Sequence, residues 1–113
     1  MRRIVKPALL VTLLAFASAG AADAADLANG QAKAKQICVA CHGLDGNSQV
    51  ADYPKIGGQY PDYLAKALRD YKSGARKNPI MAGMAAPLTP KDIDDLAAYY
   101  ASQPAVLANS FKH

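Results

Sequence analysis

The pattern of apolar and polar residues predicts helices, and the first begins at Asp26 or Asn29, either of which can cap it. The residues that follow are good helix formers and lead into a cysteine pair. Apolar positions recur at three- and four-residue spacing on one face: Ala34, Ile37 and Cys38. Gly30 is either a turn residue or a point where a second helix approaches closely.

A second helix is predicted from Tyr60 to Ser73, with Pro61 in its first turn and Gly74 as its stop. Five residues form its inward stripe: Tyr63, Leu64, Ala67, Leu68 and Tyr71. Lys66, Arg69 and Lys72 fall outside the stripe. They predict a solvated face, with a basic docking surface that also includes Arg76 and Lys77 as the alternative.

The last helix has the strongest start signal, a variant capping box with Thr89 as cap, Pro90 at the first position and Asp92 two residues later. The acidic residues at its start suit the helix dipole, and we expect nothing more of them. The buried stripe is predicted to be Ile93, Leu96, Ala97 and Tyr100. Pro104 is expected to stop the helix, ahead of a frayed tail that ends at His113.

Two segments rich in Gly, Pro, Asn and Asp separate these helices and are predicted to be loops. They cover residues 43–59 and 77–87. No strand pattern accompanies them, so the fold class is all-α.

The N-terminus carries an export pattern. Arg2, Arg3 and Lys6 precede an apolar run at residues 8–17 and a small, alanine-rich stretch at 18–25. This order is typical of a secretory signal peptide, and the run is shorter than the roughly 20 residues that span a bilayer. We expect residues 1–22 to be removed, with cleavage between 19 and 25. Residues 23–113 then form one exported domain, with a core at about 26–103 and no stable membrane insertion.

Removing the leader changes the charge argument. It holds three of the 13 Lys and Arg and none of the nine Asp and Glu, which leaves a net charge of +1. The pI near 9.1 therefore belongs mostly to the leader and does not indicate nucleic-acid binding. The remaining chain is small and has no tryptophan, so a large apolar cofactor would supply core that its side chains lack.

The stretch from Cys38 to His42 reads C-x-x-C-H, the signature of covalent haem attachment. Cys38 and Cys41 would form thioethers with the two vinyl groups, and His42 would be delivered to the iron. A thioredoxin-like couple needs a βαβ setting, and a zinc site needs about four ligands where His113 is the only other histidine. A plain disulfide is the third alternative.

Two further residues are candidates for the same site. A ligating histidine usually donates its other ring N–H to a carbonyl, and the Pro54 carbonyl in the loop after His42 is the predicted acceptor. The alternative is that Pro54 only stiffens the loop. A thioether sulfur is the sixth ligand that raises the potential of a haem with one histidine. Met81 and Met84 both lie in the second loop, and we expect one of them to bind iron.

The chain resembles class I cytochromes c, and most closely a single domain of the cytochrome c4 or c553-like type. The matching segments are CVACHGLDGNS, YPKIGGQYPDYLAKAL, MAGMAAPLT and DIDDLAAYYASQ, which together cover nearly all of residues 26–103. The resemblance implies three main helices plus loops around one covalently attached haem c. It also implies Met81 as the distal ligand and packing of the first helix on the last. A cytochrome c4 has two haem domains, whereas this chain has one C-x-x-C-H and no internal repeat.

These features predict a periplasmic electron-transfer protein and not an enzyme, with haem iron kept between His42 and Met81. Its partners would be redox proteins such as membrane oxidase or reductase complexes that dock transiently, and it would be a monomer or weak dimer. The alternatives are a haem subunit of a larger dehydrogenase or oxidase complex, and a five-coordinate haem sensor or peroxidase.

Overall fold

A computed structural model describes residues 3–15 and 24–106 of the chain. The described residues contain helices and no strand, as predicted, and residues 3–15 have no regular secondary structure. None of the helices in these ranges is long and apolar enough to cross a membrane. Most of the predicted cleavage range and the tail with His113 lie outside the described residues. The helical segments are α1 (Leu27–Lys33), a π-helical turn (Ala34–Cys38), α2 (Val39–His42), α3 (Pro61–Ser73), α4 (Pro79–Ala85) and α5 (Pro90–Ala101).

The first predicted helix is confirmed, and it continues from α1 through the π-helical turn into α2. Asp26 is its cap, because the Asp26 carboxylate accepts a hydrogen bond from the Asn29 backbone N–H at 3.0 Å. On the predicted apolar face, Ala34 is fully buried, and Ile37 and Cys38 pack against the core.

α1 and α5 touch at Gly30. A Cβ atom at this position would lie 2.2 Å from the backbone oxygen of Asp95 and 2.7 Å from Cβ of Tyr99. Only a residue without a side chain permits this approach. Of the two predicted roles of Gly30, the close approach of a second helix is therefore confirmed. This contact packs α1, the first helix, against α5, the last.

The acidic residues at the start of α5 were expected only to suit the helix dipole. That expectation was incomplete, because Asp95 also forms specific hydrogen bonds to α1 and its cap. The Asp95 side chain is only 1% exposed. Its carboxylate accepts hydrogen bonds from the Asp26 backbone N–H at 2.7 Å, from Asn29 Nδ2 at 2.6 Å and from Lys91 Nζ at 2.8 Å. Burial acts to raise the pKa of this carboxyl, but the three donors outweigh it and hold the pKa below its ordinary value.

The boundaries of α3 and the start of α5 are confirmed. Gly74 ends α3 in the left-handed region at φ 83°. Thr89 and Asp92 form both hydrogen bonds of the capping box. The predicted α5 stripe is buried, and the helix ends at Ala101, ahead of Pro104. α5 packs on both α1 and α3, which makes it the centre of the fold.

The prediction of a continuous loop at 77–87 was wrong, because α4 occupies Pro79–Ala85. The Asn78 side chain caps it by accepting hydrogen bonds from the backbone N–H groups of Ile80 and Met81, each at 3.0 Å. Pro79 takes the first helical position, where its missing N–H costs nothing. Gly83 has no neighbour within 4 Å of a built Cβ, so it is tolerated in this short helix.

Candidate haem site

A cleft lies between α3, α4, α5, the π-helical turn and the loop after His42. Its cavity volume is about 200 Å³. Most of its wall is apolar, and Lys55, Gln59 and Arg76 supply polar groups. The apolar wall includes Ile56, Leu64, Ala67, Leu68, Leu96 and Ala97.

All five residues of the predicted α3 stripe line this cleft. Only Leu64 is fully buried by protein, and Tyr63 is 50% exposed. The apolar face of α3 therefore faces the cleft more than it faces other side chains. A flat apolar group in the cleft would complete the core that the sequence lacks.

The cysteine pair lies where the π-helical turn meets α2. Cys38 lines the cleft, and Cys41 follows three residues later and is half-buried. Residues three apart lie on neighbouring positions of one helix face. Burial raises the pKa of the Cys38 thiol to about 11. Redox-active C-x-x-C pairs have lowered thiol pKa values, so this environment does not resemble theirs.

His42 is buried and lines the same cleft. Its Nδ1 atom lies 2.8 Å from the Pro54 carbonyl oxygen. A carbonyl can only accept a hydrogen bond, so Nδ1 carries a proton, and in the neutral ring Nε2 keeps its lone pair. This tautomer is the one that a metal ligand needs, and the Pro54 contact fixes the orientation of the ring.

Two tyrosines of α5 anchor the loop that carries Pro54. Tyr99 donates its hydroxyl to the Leu44 carbonyl at 2.6 Å, and Tyr100 donates to the Gly43 carbonyl at 3.1 Å. The sequence predicts a core position for Tyr100 and indicates no role for Tyr99. Buried tyrosines commonly form a hydrogen bond through the hydroxyl group. The carbonyls that accept these two bonds lie more than 50 positions away in the chain, so a local sequence pattern does not indicate them.

The two candidate methionines differ in position. Met81 is half-buried and lines the cleft with His42 and Cys38. Met84 is 45% exposed and is not among the lining residues. The structure thus brings together Cys38, His42, Pro54 and Met81 at one cleft and leaves Met84 outside it.

These residues fit haem c, because a neutral imidazole, a thioether sulfur and an apolar cleft suit a His/Met-ligated haem. The alternatives fit less well. Within residues 3–15 and 24–106, no three His, Cys, Asp or Glu side chains are grouped as a metal site would require. No disulfide joins Cys38 to Cys41.

Comparison with known proteins agrees with this chemistry. The family model of cytochrome c matches residues 27–103. Cytochrome c4 of Thiocapsa roseopersicina is 50% identical over 86 residues, which cover 76% of this chain and 44% of that protein. Cytochrome c-554(548) of Halomonas halodenitrificans is 43% identical over 83 residues, which cover 71% of this chain and 99% of that protein.

A solved structure is also similar. The crystal structure of reduced recombinant cytochrome c4 from Pseudomonas stutzeri superimposes with a TM-score of 0.67 at 43% identity, over 72% of this chain and 47% of that one. The chain therefore spans about half the length of the cytochrome c4 relatives it matches.

Proposed function

The chain belongs to the cytochrome c family, and we propose that it is a periplasmic electron carrier with one covalently attached haem c. Cys38 and Cys41 are the proposed attachment residues, and His42 and Met81 the proposed axial ligands. The observation that carries the proposal is that Cys38, His42 and Met81 line one apolar cleft. Bound haem c would supply the one-electron Fe(III)/Fe(II) couple.

The role proposed for His42 is to present an unprotonated Nε2 in a fixed direction. Its support is the hydrogen bond from Nδ1 to the Pro54 carbonyl, in a loop that Tyr99 and Tyr100 anchor to α5. A ring held in this way does not rotate when the charge in the cleft changes. Little reorganisation is what rapid electron exchange requires.

The role proposed for Met81 is to close the cleft to water and other ligands. Its support is that Met81 lines the cleft, whereas Met84 is 45% exposed. A site in which His42 and Met81 both bind the iron would exchange electrons without binding substrate, so the proposed protein is a carrier and not an enzyme. Redox proteins that dock transiently are its proposed partners, and the protein itself would be a monomer or weak dimer.

The periplasmic location rests on the export pattern of residues 1–22. Covalent attachment of haem to C-x-x-C-H outside the cytoplasm is consistent with it. Residues 23–113 are the proposed mature protein. A purified exported protein that still begins at Met1 would contradict this part of the proposal.

The axial ligands are tested by optical spectra of the haem-loaded protein, beside Met81→Ala and the matched control Met84→Ala. Sulfur bound to ferric iron gives a weak charge-transfer band at the red end of the spectrum. We expect the wild type and Met84→Ala to show the band and Met81→Ala to lack it. Loss of the band in Met84→Ala alone would assign the ligand to Met84.

A further inference from the structure

The helix that carries Met81 has little to hold it in place. α4 has seven residues, and isolated helices shorter than about 12 residues are marginal in water. Ala85 is its only fully buried residue, while Ile80 is 64% exposed. The position of Met81 therefore depends on how the ends of α4 are fixed.

The C-terminal end of α4 is fixed by a side chain of α3. Lys72 Nζ donates hydrogen bonds to the Ala86 carbonyl at 3.1 Å and to the Leu88 carbonyl. The last carbonyls of a helix lack partners inside the helix and carry partial negative charge. An ammonium group at this point supplies a hydrogen-bond donor for such carbonyls and a positive charge beside their partial negative charge.

Lys72 differs in this respect from the other basic residues of α3. Lys66 pairs with Asp70 on its own helix, and Arg69 pairs with Asp94 of α5. Among the described residues, no carboxylate lies within ion-pair distance of Lys72. Lys72 is exposed, as the predicted solvated face requires, and its hydrogen bonds go to the chain just after α4.

We propose that Lys72 is a positioning residue that holds the Met81 helix against α3, and so controls how readily Met81 leaves the cleft. The inference rests on the proposed role of Met81 as an iron ligand. Without the Lys72 contacts, the end of α4 would be tied to α3 only by packing. The state in which Met81 has moved away would then be more populated.

Binding of added imidazole to the oxidised holoprotein measures this population. Imidazole can reach the iron only when Met81 has left, so its apparent affinity rises with the fraction of open protein. The test compares the wild type with Lys72→Leu, which keeps an apolar stem and loses the donors. Lys66→Leu is the matched control on the same helix, Lys72→Arg restores a cation, and Met81→Ala gives the limit of a fully open site.

We expect Lys72→Leu to bind imidazole about tenfold more tightly than the wild type, since a charge-assisted hydrogen bond is lost. Lys66→Leu and Lys72→Arg should stay within about twofold of the wild type. Equal imidazole affinities for Lys72→Leu and Lys66→Leu would overturn the proposal. This holds even if Lys72→Leu unfolds more easily, because a purely structural role of Lys72 predicts lower stability with no change in imidazole affinity. If Met81→Ala binds imidazole no more tightly than the wild type, the ligand assignment itself fails, and the role of Lys72 fails with it.

Discussion

The contact between α1 and α5 predicts that Gly30→Ala destabilises the protein. The added methyl carbon would lie 2.2 Å from the Asp95 carbonyl oxygen, where ordinary contact begins at about 3.4 Å. The oxygen belongs to backbone in the middle of α5 and cannot rotate away. The two helices must therefore move apart by about 1 Å.

The cost has two parts. Overpacking of a close contact costs about 1–3 kcal/mol. Separation also weakens the hydrogen bonds that Asp95 accepts from Asp26 and Asn29, worth about 1 kcal/mol each. Replacing a helical glycine by alanine returns about 0.5–1 kcal/mol. The net loss is then about 2–4.5 kcal/mol, or a fall of about 10–35 °C in Tm for a domain of this size.

The assay is thermal unfolding of the oxidised holoprotein followed by far-UV circular dichroism. Gly83→Ala is the matched control, because Gly83 is also helical and has nothing within 4 Å of a built Cβ. We expect Gly83→Ala to be as stable as the wild type or slightly more stable. A Gly30→Ala protein that melts within about 3 °C of the wild type would refute the reasoning. So would an equal loss in both variants.

Two further predictions concern α5. Hydrogen bonds hold the pKa of Asp92 and of Asp95 below the ordinary value of 3.8, so their contribution to stability is complete above that pH and is lost as the pH falls through the lowered values. Chemical unfolding at a series of pH values should show this acid loss, and Asp95→Asn should flatten it; an unchanged profile in Asp95→Asn would contradict the assignment. Thr89→Ala should cost about 1 kcal/mol by removing the cap, measured by the same unfolding at neutral pH, and a cost near zero would mean that the capping box contributes nothing.

Local signals in the sequence predicted most of the helix boundaries. Thr89 and Asp92 lie three residues apart, and Gly74 directly follows the residues it terminates, so short-range chemistry decides both. The loop predicted at 77–87 was wrong because Pro79 and Gly83 were interpreted as helix breakers. Pro79 is in the first helical position and Gly83 is exposed, where both are tolerated.

The contacts that could not be predicted connect distant parts of the chain. For Asp95 the sequence predicts only a match to the helix dipole, because its donors Asp26 and Asn29 are more than 60 residues away. Lys72 lies on the same predicted face as Lys66 and Arg69, and the Ala86 carbonyl that it contacts is 14 residues further along the chain. A pattern of one residue type at helical spacing indicates a buried face. It does not indicate which polar group finds a partner there.

We propose that His42 and Met81 both stay bound to the haem iron, so that the protein carries electrons and binds no substrate. The most direct test adds carbon monoxide to the reduced, haem-loaded wild type and records the optical spectrum. Met81→Ala serves as the control with an open site. We predict an unchanged wild-type spectrum and a clear shift in Met81→Ala. Ready binding of carbon monoxide by the wild type would contradict the account and favour a sensor or a peroxidase.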